Sequence, residues 1–459
     1  MTLVDRVAEM VTRRIQAGEI AAGYRLPSVR QLAADCGTSA DTVARAYDKL
    51  VAHSVVESRA GSGFYVRQTR QTPPAGRSHL NIPLAEWWRL RLLQADRPNL
   101  STLGAGVLPP HWIDEASISS ALRTVARASQ RSLSDYGDPQ GYLPLRQQLQ
   151  GKLKEIQVDA PPSQIMVTGG ATEAIHLIVM GNLRRPNEFV LIDDPGPFLL
   201  RDRLMANGLA AALVPRLADG PDLAILRQLC ERHKPRYYFT CSVLNNPTSG
   251  NISPPKAFQL LRLAEEFDFT IVEDDTYGDL VSPSAGITRL ATLDQLHRVI
   301  YIGSFSKTLA AGLRMGFLAA SPADIAWLTV LRTVSGISAC TLPQRLAYQM
   351  LSQGGYRQHC SQLRARLDQH RHTTAEQLRQ IGCTLDHVPD AGMFLWARMP
   401  GDANATRVAH AMHQAGHLTA PGELFGSEAH HAYMRFNIAT TRDSPGLPLL
   451  AQCVRELAR

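Results

Sequence analysis

No run of about 18 apolar residues occurs in this 459-residue chain, so no membrane-spanning helix is expected. Asp5, Arg6 and Glu9 interrupt the first turns and no apolar stretch follows, so no secretory signal peptide is expected either. The seven cysteines (Cys36, Cys230, Cys241, Cys340, Cys360, Cys383, Cys453) are odd in number and form no Cys-x-x-Cys pair. That argues against a disulfide framework and against a zinc site, and no metal is expected. Internal repeats and low-complexity tracts are missing as well. What is present is an ordinary globular composition, 44% hydrophobic, read as a cytoplasmic protein with reduced thiols and no membrane partner. The length suggests more than one domain.

The net charge is +7, and the first 70 residues hold ten basic against seven acidic side chains. Charge alone suits a polyanionic partner and a mildly basic solvated surface about equally. Pattern says more. Leu3, Val7, Val11 and Ile15 mark an amphipathic helix. Pro27-Ser28 starts a second helix with Val29, Leu32, Ala33 and Cys36 on one face, and Gly37 breaks it. Ser39 is placed to cap a third, with Val43, Tyr47 and Leu50 inward. Two short strands, 55–58 and 64–67, flank a Gly-containing tip that includes Gly61 and Gly63. Helix, helix, tight turn, helix and hairpin make a winged helix-turn-helix over residues 1–67. Residues 68–80, polar and carrying Pro73-Pro74 and Gly76, read as an exposed linker.

From about residue 100 apolar strand runs (164–168, 189–193, 237–243, 269–274, 299–303) alternate with helical stretches (171–182, 198–207, 223–233, 255–267). Continuous apolar strands between helices predict an α/β body whose sheet is mainly parallel and covered on both faces. Residues from about 356 to 459 form a smaller, helix-rich C-terminal lobe with short strands near 392–396 and 433–438.

In such a sheet ligands bind beyond the carboxyl ends of the strands, and four motifs fall there. Thr168-Gly169-Gly170-Ala171-Thr172-Glu173 turns a strand into a helix whose first N–H groups, at Ala171 and Thr172, face an anion. Asn246-Pro247-Thr248 follows the third strand and offers an amide donor. Glu273-Asp274-Asp275-Thr276-Tyr277 sets a carboxylate at a strand end, suited to a protonated ring nitrogen. Gly303-Ser304-Phe305-Ser306-Lys307-Thr308, then Gly312-Leu313-Arg314, places a Schiff-base lysine among hydroxyls with an arginine nearby. Taken singly, these are also a plain turn, a second turn, a helix-cap cluster and a solvated lysine. Their order and placement together carry the reading.

On these motifs, residues from about 100 to 459 resemble a fold-type I aminotransferase, and residues 1–67 resemble the winged helix of the GntR superfamily. Together they resemble the MocR subfamily of transcription regulators dependent on pyridoxal 5′-phosphate (PLP). The resemblance implies that Lys307 forms the internal aldimine, Asp274 pairs with the ring nitrogen, and Asn246 and Tyr277 hold the ring oxygen. It implies a phosphate cup of Ala171, Thr172, Ser304, Ser306 and Arg314, joined across a homodimer by the partner subunit's Tyr136. It gives Arg435, in Met434-Arg435-Phe436-Asn437, to a substrate carboxylate. Arg30, Thr42, Arg45, Gly61 and Gly63 fall at DNA-contacting positions. Three departures stand out. Gly250 comes one place late after Asn-Pro-Thr. Pro197 sits where the ring-stacking aromatic belongs, followed by Phe198. The third helix opens Ser39-Ala40-Asp41 rather than Ser-Arg.

Two functions follow. One is a regulator of a promoter or operator in double-stranded DNA, sensing PLP or a small amino compound. The other is a working aminotransferase with an accessory DNA-binding domain. Residues 1–67 favour the first, because an enzyme needs no helix-turn-helix.

Overall fold

The computed structural model describes residues 2–16, 19–21, 23–53, 55–59, 62–67, 101–128, 136–182 and 189–457. The segment read as a linker lies outside these residues, as does Gly61. The chain divides into two units, Met1–Ile82 and Pro83–Arg459.

The first unit has three helices, α1 (Leu3–Gln16), α2 (Val29–Asp35) and α3 (Ala40–Ala52), and a hairpin of β1 (Val56–Arg59) with β2 (Gly63–Val66). The expected cap at Ser39 forms, its Oγ accepting from the Thr42 N–H at 3.1 Å, and Ser28 Oγ caps α2 in the same way, accepting from the Gln31 N–H at 3.2 Å. Val7, Val11, Leu32, Val43, Tyr47 and Leu50 are buried together. Leu3 is half exposed, so the apolar stripe of α1 starts one turn later than its sequence period suggests. The Tyr47 hydroxyl donates to the Pro27 carbonyl at 2.9 Å, tying α3 to the turn before α2.

The second unit opens with a two-residue strand, β3 (Ser101–Thr102). Its main sheet is built from β4 (Ile165–Thr168), β5 (Phe189–Asp194), β6 (Ala210–Leu217), β7 (Gly220–Pro221), β8 (Tyr237–Thr240), β9 (Thr270–Asp274), β10 (Val299–Ser304) and β11 (Gly316–Ala319). The order is β4-β11-β10-β9-β8-β5-β6-β7. The strands β10, β9, β8, β5 and β6 run parallel, while β11 lies antiparallel to both neighbours and β7 is an antiparallel stub. The mainly parallel sheet is as expected; β6 and β11 were not anticipated. Alternate residues supply two separate cores. Val167, Leu191, Tyr238, Ile271, Tyr301 and Phe317 face one way, and Met166, Ile192, Phe239, Val272, Ile302 and Leu318 the other. Helices cover both faces, which is why these strands read as unbroken apolar runs.

The long helix Gly355–Ile381 leads to the small lobe. There β12 (Phe394–Arg398), β14 (Ala420–Pro421) and β15 (Tyr433–Asn437) form an antiparallel sheet with β15 in the middle. A further strand, β13 (His417–Leu418), pairs in parallel with β3, so the start of the body is sewn into the C-terminal lobe.

Candidate functional site

Sheet polarity brings the C-terminal ends of β9 and β10 together, since Ile302 is in register with Asp274. Asp274 ends β9, and its Oδ1 accepts from the Thr276 N–H at 3.0 Å and the Thr276 hydroxyl at 2.5 Å. Burial raises its pKa despite those donors. Asp275 takes the opposite direction: its Oδ2 accepts from Arg289 Nε and from the Tyr301 hydroxyl, each at 2.7 Å. Glu273 is wholly buried, accepting from the Leu290 and Ala291 N–H groups, and burial pushes it up to about 7. Of three consecutive carboxylates, only Asp274 is left for a ligand beyond the strand end.

Lys307 follows the end of β10. Its Nζ donates to the Gly106 carbonyl at 2.5 Å and stands 5.8 Å from the centre of the Tyr277 ring. Burial, then the positive charge of Arg435, hold its ammonium down to about 8, against the opposing pull of Asp274. This is the environment of a lysine that gives up its proton near neutral pH. Tyr277 is buried, packed edge-on to Phe394 at 5.4 Å, and burial raises its phenol.

Arg435, central in the small sheet, is 1% exposed. Its Nη1 donates to Asn246 Oδ1 at 2.7 Å and its Nη2 to the Gly104 carbonyl at 2.6 Å, while Nε is buried with no partner among the described residues. The guanidinium lies 4.2 Å from the Phe394 ring centre and 4.7 Å from that of Phe425. Burial lowers it to about 10, against the smaller opposing pull of Tyr277. Phe198 reaches this box through Phe425, their rings edge-to-face at 5.7 Å. Pro197 only precedes the helix Phe198–Ala206.

The anion end is built by the helix Ala171–Asn182, whose Ala171 and Thr172 N–H groups have no partner among the described residues. Arg314 Nη2 donates to the Gly169 carbonyl at 3.2 Å, and a Cβ at Gly170 would come within 3.1 Å of that same nitrogen. Arg203, not singled out in the sequence, donates to the Thr172 carbonyl at 2.6 Å. Burial and the charge of Arg314 lower its pKa. Ser304 Oγ accepts from the Ser306 N–H at 3.2 Å. The structure thus gathers Lys307, Asp274, Tyr277, Asn246 and Arg435, with Ala171, Thr172, Ser304, Ser306 and Arg314 at the strand ends nearby. It leaves Tyr136 apart, 82% exposed. Sequence reading missed Arg203, Phe394, Phe425 and the carbonyls of Gly104 and Gly106. No motif marks them, and only the return of β15 beside β12, with the Asn437 N–H bonded to the Leu103 carbonyl, brings most of them in.

In the first unit Arg30 and Arg45 are exposed, and Thr42 is half-buried with its hydroxyl 2.8 Å from Ser39 Oγ. Gly63 sits at φ +106°, and a Cβ there would press within 3.2 Å of the Arg25 guanidinium, so the hairpin tip requires glycine.

Two family models match: aminotransferase class I and II over residues 99–445, and bacterial regulatory proteins of the gntR family over residues 3–66. The chain is 24% identical to the uncharacterized HTH-type transcriptional regulator YisV of Bacillus subtilis, across 98% of this chain and 96% of the relative. It is 27% identical to the HTH-type transcriptional regulator TauR of Rhodobacter capsulatus, across 99% and 97%. The structure superposes on the α-aminoadipate aminotransferase LysN of Thermus thermophilus with TM-score 0.72 and 23% identity, covering 81% of this chain and 95% of that one. That last likeness is one of fold. The chain belongs to the aminotransferase class I and II family, joined to a gntR-family domain in the combination of the MocR-type regulators.

Proposed function

We propose that this protein is a DNA-binding transcription regulator whose aminotransferase-like body binds PLP and, through it, a small amino compound. The observation that carries the reading is a capped helix-turn-helix in one chain with a complete lysine–aspartate–arginine site.

The residues present fit PLP. Four donors, the Ala171 and Thr172 N–H groups, Arg314 and Arg203, have no carboxylate partner among the described residues and suit a phosphate. The raised pKa of Asp274 suits a cationic ring nitrogen, which would restore its charge. With Asn246 Oδ1 taken by Arg435, the Asn246 amide nitrogen is left to donate to a ring oxygen. When bound, PLP supplies an electron-poor ring and an aldehyde that takes up amines. The chain's own part is to present Lys307 near its neutral form, to hold the ring nitrogen's proton at Asp274, and to keep Arg435 ready for a carboxylate. The aromatic walls Phe394 and Phe425 exclude water around that arginine.

Exposed apolar side chains support a homodimer with a shared site. Tyr136 and Val334 are more than four-fifths exposed, and Leu122, Leu143, Ile337 and Leu342 are also open. Gly137 lies against Thr341, which brings the Tyr136 segment to the start of the helix carrying Leu342. The gntR-family domain supports double-stranded DNA as the partner, with two half-sites for a dimer. A DNA-binding protein with no described helix long and apolar enough to cross a membrane suits the cytoplasm.

A gel-shift titration on the upstream region of the protein's own gene, with and without PLP and candidate amino compounds, tests the reading. The expected result is a specific complex whose affinity changes with the amino compound only when PLP is present. One observation favours the second reading, a working aminotransferase: no catalytic group is missing from the site. Steady-state turnover at about 1–1,000 per second would establish it instead.

A further inference from the structure

The main sheet has a second concave surface on its other face. A cavity of about 640 Å³ opens there, floored by Tyr301, Gly303 and Phe317 and walled by the helices Leu143–Glu155 and Gly355–Ile381. It is within the size range of small-molecule sites.

Its charges do not balance. Lys152 pairs with Asp279, Arg357 with Glu155, and Arg289 with Asp275. Arg364 is left over: its one bond among the described residues goes to the Asp279 carbonyl, at 2.9 Å. Arg289 is 8% exposed, and among the described residues only its Nε has a hydrogen-bond partner, so both terminal nitrogens of a nine-tenths-buried guanidinium are unspent there. Between these cations Val281, Ile287, Leu293, Phe317 and Leu351 contribute apolar surface, beside the hydroxyls of Ser282, Thr288 and Thr292. One excess positive charge and free guanidinium donors call for a singly charged anion. A dianion would meet Asp275 and Asp279. Apolar walls call for a hydrocarbon body.

We infer that this cavity is a second binding site, for a small monocarboxylate with an apolar body, separate from the Lys307 site. It does not depend on what that site does. Its walls do adjoin the site's key groups. Asp275 follows Asp274 in the chain. Asp279 accepts from the Tyr356 hydroxyl, which lies 2.7 Å from Thr308 Oγ1, one residue after Lys307. A ligand here therefore bears on the neighbours of both reacting groups from behind.

The test is calorimetric titration of the full chain, loaded with PLP and reduced with borohydride so that the Lys307 site is blocked. The probes are sodium hexanoate and, as the opposite charge, hexylammonium chloride. Hexanoate should bind at one site per chain with a dissociation constant of about 1 mM or tighter, and hexylammonium should give no saturable heat. Arg364→Gln should weaken hexanoate by about ten-fold. Leu293→Trp, at a half-exposed position on the rim that leaves the buried ion pairs intact, should weaken it at least as much by filling the cavity. No saturable heat with hexanoate, equal binding of hexylammonium, or unchanged affinity in both variants would overturn the inference.

Discussion

The buried amine of Lys307 is expected to titrate near pH 8, well below an ordinary lysine. At pH 7.5 roughly a quarter of such amines are neutral, against about one in a thousand at the ordinary value, a gain of about two hundred-fold in reactive amine. The sign is set by burial and by Arg435, with Asp274 opposing. Arg435→Gln should therefore move the midpoint up, and Asp274→Asn should move it down. The chain makes the measurement tractable, since it has six lysines (Lys49, Lys152, Lys154, Lys234, Lys256 and Lys307). Reductive methylation of the cofactor-free protein with ¹³C-formaldehyde gives one dimethylamino signal per lysine, each followed by NMR across pH. The signal missing from Lys307→Arg identifies the residue. A Lys307 midpoint above about 10, or a shift of the same sign in both variants, would refute the electrostatic account.

Other perturbations reach the remaining parts. Lys307→Ala should abolish covalent PLP attachment while leaving the circular dichroism spectrum unchanged; a reduced pyridoxyl adduct mapped to any other lysine of the wild type would contradict the assignment. Asp274→Ala should release PLP more readily with little loss of stability, whereas Asp275→Ala strands Arg289 and should cost about 3–5 kcal/mol in urea unfolding; equal cofactor loss in both would remove the distinction between them. Arg45→Ala should weaken DNA binding without altering the visible spectrum of the PLP form, and an unchanged gel shift with unchanged salt dependence would take the third helix out of the interface. Tyr136→Ala should leave the monomer fold intact but lower PLP affinity by about ten-fold through one lost charge-assisted hydrogen bond to phosphate; unaltered affinity in the dimer would exclude a shared site.

The motif-bearing strand ends were legible because their signals are local: an apolar run, then glycine, proline or a carboxylate where the chain must turn. The helices Ala171–Asn182 and Leu223–His233 fall on the expected residues for the same reason. The strand β6, AAALVPRL, hides because its alanines and Pro215 give neither a branched run nor a clean alternation. With four residues, β11 is too short to show a period, and its direction follows from its neighbours alone. Arg435 was found by its resemblance, but not its surroundings. The Gly104 carbonyl that it bonds lies 331 residues away in the chain, and no local pattern encodes such a meeting. Asp275 shows the useful middle case: successive residues of a strand face opposite ways, so its turn away from Asp274 follows from alternation, while only the structure shows what it meets there, Arg289 and Tyr301.

The pairing of β3 with β13 has a mechanical consequence. Ser101–Thr102, the first described strand of the second unit, is held by the C-terminal lobe through β13 rather than by the main sheet. Two residues on, the Leu103 N–H donates to the Leu418 carbonyl at 2.8 Å and the Gly104 carbonyl receives Arg435. Strand β3 and the arginine that would grip a carboxylate thus hang on one set of hydrogen bonds. Any rotation of that lobe relative to the main sheet carries β3, Gly104 and Arg435 together.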